Sequence, residues 1–148
     1  MEIKVFTDGA CIGNPGPGGW AAIIISENKK KELSGGEKLT TNNRMELTAA
    51  IKALEYFDAK KEKQLSLEKI EFYTDSLYLK DGITIWIQNW EKSNWKTADK
   101  KNVKNVDLWK KLKELTKSKL IEWHWVKGHS DNPMNNLADE LAKKATPI

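Results

Sequence analysis

One cysteine, Cys11, occurs in 148 residues, so no disulfide can form within the chain, a pattern that suits a reducing cytosol. Long apolar runs are missing as well. The longest, WAAIII from Trp20 to Ile25, is far too short to cross a bilayer, so no membrane association is expected. Internal repeats, linkers and low-complexity tracts are absent, and nothing in the composition divides the chain. Met1 opens straight into a strand pattern, so no signal peptide is expected and the expected location is the cytoplasm. The length favours one domain over residues 1–148, with enough chain to bury a single core.

What is present is charge, unevenly placed. The formal net charge is +4 and the sequence pI about 9.0. Between Lys80 and Lys119, eleven lysines stand against five acids, which leaves the rest of the chain slightly acidic. Four of the seven tryptophans, Trp86, Trp90, Trp95 and Trp109, fall in the same stretch. A lysine-rich segment by itself reads as a solvated face. Cations that neutralise phosphates beside aromatic platforms read instead as a nucleic-acid footprint. A rival reading is that these tryptophans hold two short helices together.

Element signals alternate along the chain. Strand patterns over MEIKVFTD and WAAIIIS flank the glycine-rich stretch Gly13 to Gly19, and KKELSGGE reads as a third strand. A strand follows those glycines rather than a helix, so a wide hairpin turn is the better reading than a phosphate cradle. A helix is expected from Asn43 to Ala59, with Asn42 or Asn43 as its N-cap. Then come the strand KIEFYTD, a helix from Ser76 to Ile87, and the basic segment with one or two helices. The strand IEWHWVK and a helix from Asn132 to Ala145, with Pro133 in its first turn, complete the order. Lys60 to Lys69 reads as a surface loop. The pattern implies an α/β fold, a mixed sheet with helices on its faces.

Two strand patterns, VFTDG and FYTDS, both break on Thr-Asp, at Asp8 and Asp75. The first long helix has its apolar stripe at Ala49, Ala50, Ala53, Leu54 and Phe57, and one turn earlier the stripe lands on Glu46. A carboxylate on a core face is costly unless neutralised. The bland alternative is that Glu46 sits at the helix end, reaches solvent and favours the helix dipole. The last helix adds Asp139 at the margin of its stripe of Leu137, Ala138, Leu141, Ala142 and Ala145. Four carboxylates meeting at one sheet edge would repel by roughly 4 kcal/mol per pair at about 4 Å, with an effective dielectric near 20. Such a cluster calls for cations. An all-oxygen donor set suits Mg²⁺ or Mn²⁺, and two such ions about 4 Å apart can clamp both oxygens of a phosphodiester displacement.

FTDGACIGNPGPGGW, TTNNRMEL, YTDS, GITIWIQNWEKSNWKTADKKNVKNVDLW, WVKGHSDNP and NNLADELA together resemble bacterial ribonuclease H of type 1, in order and over nearly the whole chain. The resemblance implies a ribonuclease H-like fold with a five-stranded mixed sheet and a basic helical protrusion over roughly residues 80–106. It implies a monomeric, metal-dependent endoribonuclease that cuts the RNA strand of RNA–DNA hybrids and leaves 3′-hydroxyl and 5′-phosphate ends. Carried over by position, Asp8, Glu46, Asp75 and Asp139 bind two Mg²⁺ or Mn²⁺ ions in the substrate complex. His129 assists proton transfer or product release, although a histidine in a glycine-containing loop also reads as a plain surface residue. Cys11, Asn14, Asn42 and Asn43 read the minor groove, Thr41 and Asn105 hold a DNA phosphate, and Tyr78 and Trp90 line the DNA sugars. Lys96, Lys100, Lys101 and Lys104 belong to the basic protrusion. One position departs: Leu77 stands where well-known bacterial relatives carry Gln, so a hydrogen bond to a base edge is lost there. A hybrid-binding module without hydrolysis would not need four acids. A DNA-cutting relative of the same fold would lack the TTNNRME and tryptophan-rich segments.

Overall fold

The structure is a computed structural model that describes residues 2–60, 69–127 and 132–147. Five strands form one sheet: β1 (Ile3–Cys11), β2 (Gly16–Ser26), β3 (Lys29–Thr40), β4 (Lys69–Thr74) and β5 (Leu120–Trp125), in the order β3-β2-β1-β4-β5. β1, β2 and β3 pair antiparallel, and β4 and β5 add in parallel, which makes the expected mixed sheet. The β2–β3 hairpin turns on Glu27 and Asn28, both at positive φ (51° and 67°), as a two-residue hairpin requires. Edge strand β3 is studded with exposed lysines, which discourage pairing with another chain.

Alternation along β1 and β2 separates two layers. Ile3, Val5, Ala22 and Ile24 face the long helix α1 (Asn42–Lys60), whereas Phe6 and Ile23 face the last helix α5 (Pro133–Ala145). The α1 stripe read from the sequence is buried throughout. The last helix starts as expected: Asn132 caps it, its side chain accepting from the backbone N–H groups of Met134 and Asn135. The loop expected over Lys60 to Lys69 lies largely outside the described residues, with Lys69 already in β4.

Three expectations need correction. Asp8 does not end its strand. Pairing of β1 with β4 stops at Thr7–Thr74, while pairing with β2 continues to Cys11–Gly18, so from Asp8 onward β1 has a neighbour on one side only. The wide turn shrinks to residues 12–15, because Gly16 pairs with Thr40 and Gly18 with Cys11, with a register shift between them. The N-cap of α1 is Thr41: its Oγ1 accepts from Arg44 N at 3.2 Å and its carbonyl from Met45 N at 3.1 Å.

The helix expected near Ser76 to Ile87 extends further and changes pitch. It comprises α2 (Leu77–Asp81), a π-helical turn (Gly82–Trp86) and α3 (Ile87–Lys92). Thr84 Oγ1 donates to the Lys80 carbonyl at 2.6 Å, and Gly82 lies against the buried indole of Trp109 on α4 (Val106–Thr116). A Cβ at Gly82 would fall 2.0 Å from Trp109 Cη2. Between α3 and α4 the chain projects as the basic segment, closed by Val103 N donating to the Trp95 carbonyl at 3.1 Å.

Gly82→Ala tests this contact. Removing a helical glycine is ordinarily worth about 0.5–1 kcal/mol. Overpacking against a rigid indole typically costs about 1–3 kcal/mol, so the variant should have a lower urea midpoint than the parent. A raised midpoint would show that the Trp109 contact does not constrain the helix.

Candidate active site

The cleft is built where β1 outruns β4. Asp8 lies on β1 opposite Ala21 and is 3% exposed. Its neighbour Gly9 has no Cβ, and α1 uses that gap: a Cβ there would stand 2.6 Å from Glu46 N and 2.7 Å from the Met45 carbonyl carbon. Close approach of α1 carries Glu46 in beside Asp8. Glu46 lies in the second turn of α1 and is also 3% exposed, so it does not reach solvent, contrary to the bland reading.

Asp75 occupies the turn between β4 and α2, and its backbone is held from several sides. Ser76 N donates to Thr74 Oγ1 at 3.0 Å, and Ser76 Oγ caps α2 by accepting from Leu79 N at 3.1 Å. From β5, the Trp125 indole donates to the Asp75 carbonyl at 3.0 Å. Carboxylate oxygens of Asp8, Glu46 and Asp75 lie within 4.8 Å of one another. Asp139 on α5 joins them through a hydrogen bond to Asp8, and pairs with Lys143 at 3.0 Å. The four acids thus meet in a cleft of about 380 Å³ also lined by Asn42, Asn43, Leu77 and Tyr78.

Burial dominates the electrostatics. It pushes the Asp8 carboxyl up to about 8, with the Asp75 charge and the hydrogen bond that the protonated carboxyl donates to Asp139 adding to the shift. Burial, then the charges of Asp8 and Asp75, likewise push Glu46 well above the usual carboxylate range. Glu46 Oε1 has no hydrogen-bond partner among the described residues. A second group of possible donors, Glu71, Glu122 and His124, gathers on β4 and β5, but it carries its own compensation. Lys69 Nζ sits 3.1 Å from Glu71 and 3.0 Å from Glu122, and His124 Nε2 contacts both carboxylates. Of the two groups, the buried one has no paired cation among the described residues and fits a hard divalent ion.

The remaining expected residues divide by place. Asn14 Oδ1 accepts from Asn42 N at 2.7 Å, tying the loop after β1 to the head of α1. Cys11 Sγ lies 3.4 Å from the Thr40 carbonyl and 3.5 Å from that of Gly16. Tyr78, Trp90 and Asn105 are drawn together around buried Trp109, whose ring centroid is 5.3 Å from each of the Tyr78 and Trp90 rings. The tryptophans therefore do bind helices together, as the rival reading held, yet Trp86 at the end of the π-helical turn remains 36% exposed. Lys96, Lys100, Lys101 and Lys104 are exposed there. Leu77 is exposed beside the acids. His129 lies outside the described residues.

Three residues at the site were not singled out from the sequence. Trp125 anchors Asp75 through a main-chain contact that no side-chain pattern encodes. Asn135 lines the cleft with an unpartnered Oδ1 and is 1% exposed; its position one turn before Asp139 was a usable signal. Arg44 is the single arginine among 25 basic residues, a rarity that was itself a signal.

The raised Asp8 value gives a pH dependence with a defined sign. The folded state keeps a proton that the unfolded chain releases near pH 4, so the stabilisation is complete below that pH and is lost as pH rises through about 8. In chelator, the melting temperature should fall between about pH 5 and pH 8. Glu71, held low by hydrogen bonds with His124 and Lys69, and Asp107, held low by Arg44, act with the opposite sign only on the acid side of this window. Asp8→Asn should flatten the fall, and Mg²⁺ should oppose it. A melting temperature that climbs across this window in chelator, equally in both proteins, would contradict the burial of Asp8.

Comparisons with known proteins agree with this geometry. A family model described as RNase H matches residues 1–146. A Ribonuclease H of Maricaulis maris (strain MCS10) is 58% identical over 142 residues, covering 96% of this chain and 91% of the relative. One of Bradyrhizobium sp. (strain ORS 278) is 57% identical over 141 residues, covering 95% and 87%. Among solved structures, LC9-RNase H1, a type 1 RNase H with the type 2 active-site motif, superposes with a TM-score of 0.85 at 30% identity, covering 97% of this chain and 71% of that one. LC11-RNase H1 in complex with RNA/DNA hybrid has a TM-score of 0.71 at 25% identity, covering 98% and 96%. With the family model spanning nearly its full length and these relatives matching more than half of its residues, the chain belongs to the ribonuclease H family.

Proposed function

We propose that this ribonuclease H cuts the RNA strand of RNA–DNA hybrids, using two Mg²⁺ or Mn²⁺ ions held by Asp8, Glu46, Asp75 and Asp139, and leaves 3′-hydroxyl and 5′-phosphate ends. The observation that carries the metal reading is Glu46: a buried carboxylate with an unpartnered oxygen, set against Asp8 and Asp75. Bound ions would neutralise the cluster, polarise the phosphodiester and activate water. The chain's own part is to keep the acids in place. Gly9 admits Glu46, the β1–β2 pairing fixes Asp8, and Ser76 with Trp125 fixes the backbone at Asp75. His129 is the group we assign to proton relay or product release.

The substrate reading extends the relative solved with RNA/DNA hybrid to this chain. Asn42 and Asn43, at the cleft wall, with Cys11 and Asn14 behind them, are assigned to the minor groove, where RNA presents its 2′-hydroxyls. Leu77 adds apolar packing there in place of a hydrogen bond. Thr41 and Asn105 are assigned to a DNA phosphate, and Tyr78 and Trp90 to the DNA sugars. The exposed lysines of the basic segment supply phosphate neutralisation. In this reading the protein acts as a single-domain monomer in the cytoplasm; among the described residues no helix is long and apolar enough to cross a membrane.

The deciding experiment offers the protein an RNA–DNA hybrid, duplex RNA and duplex DNA, each with Mg²⁺ and with chelator. Only the RNA strand of the hybrid should be cut, and only with metal. Metal-independent cutting or cutting of duplex DNA would overturn the proposal, the latter in favour of a DNA nuclease. Asp8→Asn and Asp75→Asn should each lower turnover by more than about a hundredfold while hybrid binding survives. Near-normal turnover in either would remove that residue from the metal site.

Replacing Lys96, Lys100, Lys101 and Lys104 with alanine should raise KM and flatten the salt dependence. Each lost phosphate contact lowers the log–log slope by about 0.9 on a B-like duplex. Turnover at saturation should change little. An unaltered slope would reduce these lysines to surface charges.

A further inference from the structure

Asn105 occupies the N-cap position of α4 but does not cap it. Its backbone is left-handed (φ 59°, ψ 28°) and its side chain makes no capping bond, although Asn is among the best capping residues. Such a breach of a local rule marks a residue used for something else. Both ends of the amide are engaged: Nδ2 donates to Tyr78 Oη at 3.0 Å, and Oδ1 accepts from Arg44 Nη1 at 3.2 Å. Arg44 in turn grips Asp107 with its fork, at 3.1 Å and 2.9 Å, and its backbone N–H donates to Thr41 Oγ1.

Donor counting shows what this wiring leaves over. A guanidinium only donates, so Arg44 dictates which end of the Asn105 amide is oxygen. Tyr78 Oη accepts from Asn105 and also from Trp109 Nε1 at 3.2 Å, so these two contacts leave its own hydrogen unused. One Nδ2 hydrogen of Asn105 and the hydroxyl hydrogen of Thr41 are also uncommitted to these contacts. Arg44 itself has its charge matched by Asp107.

We infer that Arg44 is a positioning residue for hybrid binding: its guanidinium aligns Asn105 as a phosphate donor beside Thr41, without itself neutralising a phosphate. The inference rests on the proposed hybrid reading. It assigns the one guanidinium of the chain to a task no lysine can perform, since only a rigid fork reaches Asp107 and Asn105 together.

The test uses steady-state kinetics on RNA–DNA hybrid with Arg44→Lys and Arg44→Gln. Each should raise KM roughly tenfold, the weight of a hydrogen bond to a charged group, with turnover within about twofold of the parent. The salt slope of Arg44→Gln should stay at the parent value, because the lost charge was not on a phosphate. In an Asn105→Ala background, Arg44→Lys should change KM by less than about twofold, since the two act as a unit. Parent-like KM in Arg44→Lys, a slope flattened by about 0.9 in Arg44→Gln, or an undiminished effect without Asn105 would each overturn the inference. Asp107→Asn, at an exposed side chain, loosens the same fork and should raise KM should the Arg44 variants fold poorly. If the parent neither binds nor cuts hybrid, the substrate reading fails separately. The Asn105 side-chain amide NMR signals in the free protein then decide whether Arg44 orients it: they should move in Asp107→Asn, and unchanged signals would overturn the inference.

Discussion

Asp8 and Glu46 meet inside the protein because Gly9 lets α1 rest on β1, and their mutual repulsion is confined there by the packing of a helix on a sheet. Folding free energy from the surrounding core must hold the two acids together. The core is placed for it: Val5 and Ala22 lie beneath the helix, with Met45 and Leu47 on either side of Glu46, all buried. In the absence of an ion the cluster answers by holding protons that carboxylates normally release. An ion that replaces those protons converts an electrostatic cost into binding affinity, which is why the arrangement fits metal chemistry better than an acid–base pair.

The contrast with Glu71, Glu122 and His124 shows that convergence of donors is not sufficient. That group lies on the far part of the sheet, partly open to water, and Lys69 bridges both glutamates. Hydrogen bonds from His124 and then Lys69 hold Glu71 below the ordinary carboxylate range, while burial drives Asp8 above it. Opposite shifts in two acidic groups of one sheet follow from burial and from the presence or absence of a cation.

The acid cluster and the residues assigned above to substrate are mechanically joined through α1. Its first turns carry Asn42 and Asn43 at the cleft, Arg44 toward α4, and Glu46 into the acids. Trp109, buried under Gly82, ties α4 to the π-helical turn, and through Tyr78 to Asn105. The basic segment is thereby anchored to the same helix that carries Glu46. A displacement of α4 would disturb the Arg44 and Asn105 contacts before it reached Glu46.

Fold class was legible in the amino-acid order. Alternation in β1 and β2, the apolar stripe of α1 and the capped start of α5 are local signals, and each appears where the periodicity placed it. The acids were legible as well, since Thr-Asp breaks and a glutamate on an apolar stripe are visible without coordinates. Strand ends were not. Asp8 looked terminal, yet β1 runs on to Cys11, because the end of a strand depends on what its neighbours pair with, and β4 stops while β2 continues. The π-helical turn was equally hidden, and the indole packed against its first residue arrives from residue 109. The same holds for Arg44, whose partners lie 61 and 63 residues away. Local patterning thus determined the elements and the kinds of side chain available. Long-range packing decided which of them touch, because burial and hydrogen-bond partnership exist only once distant segments share a surface.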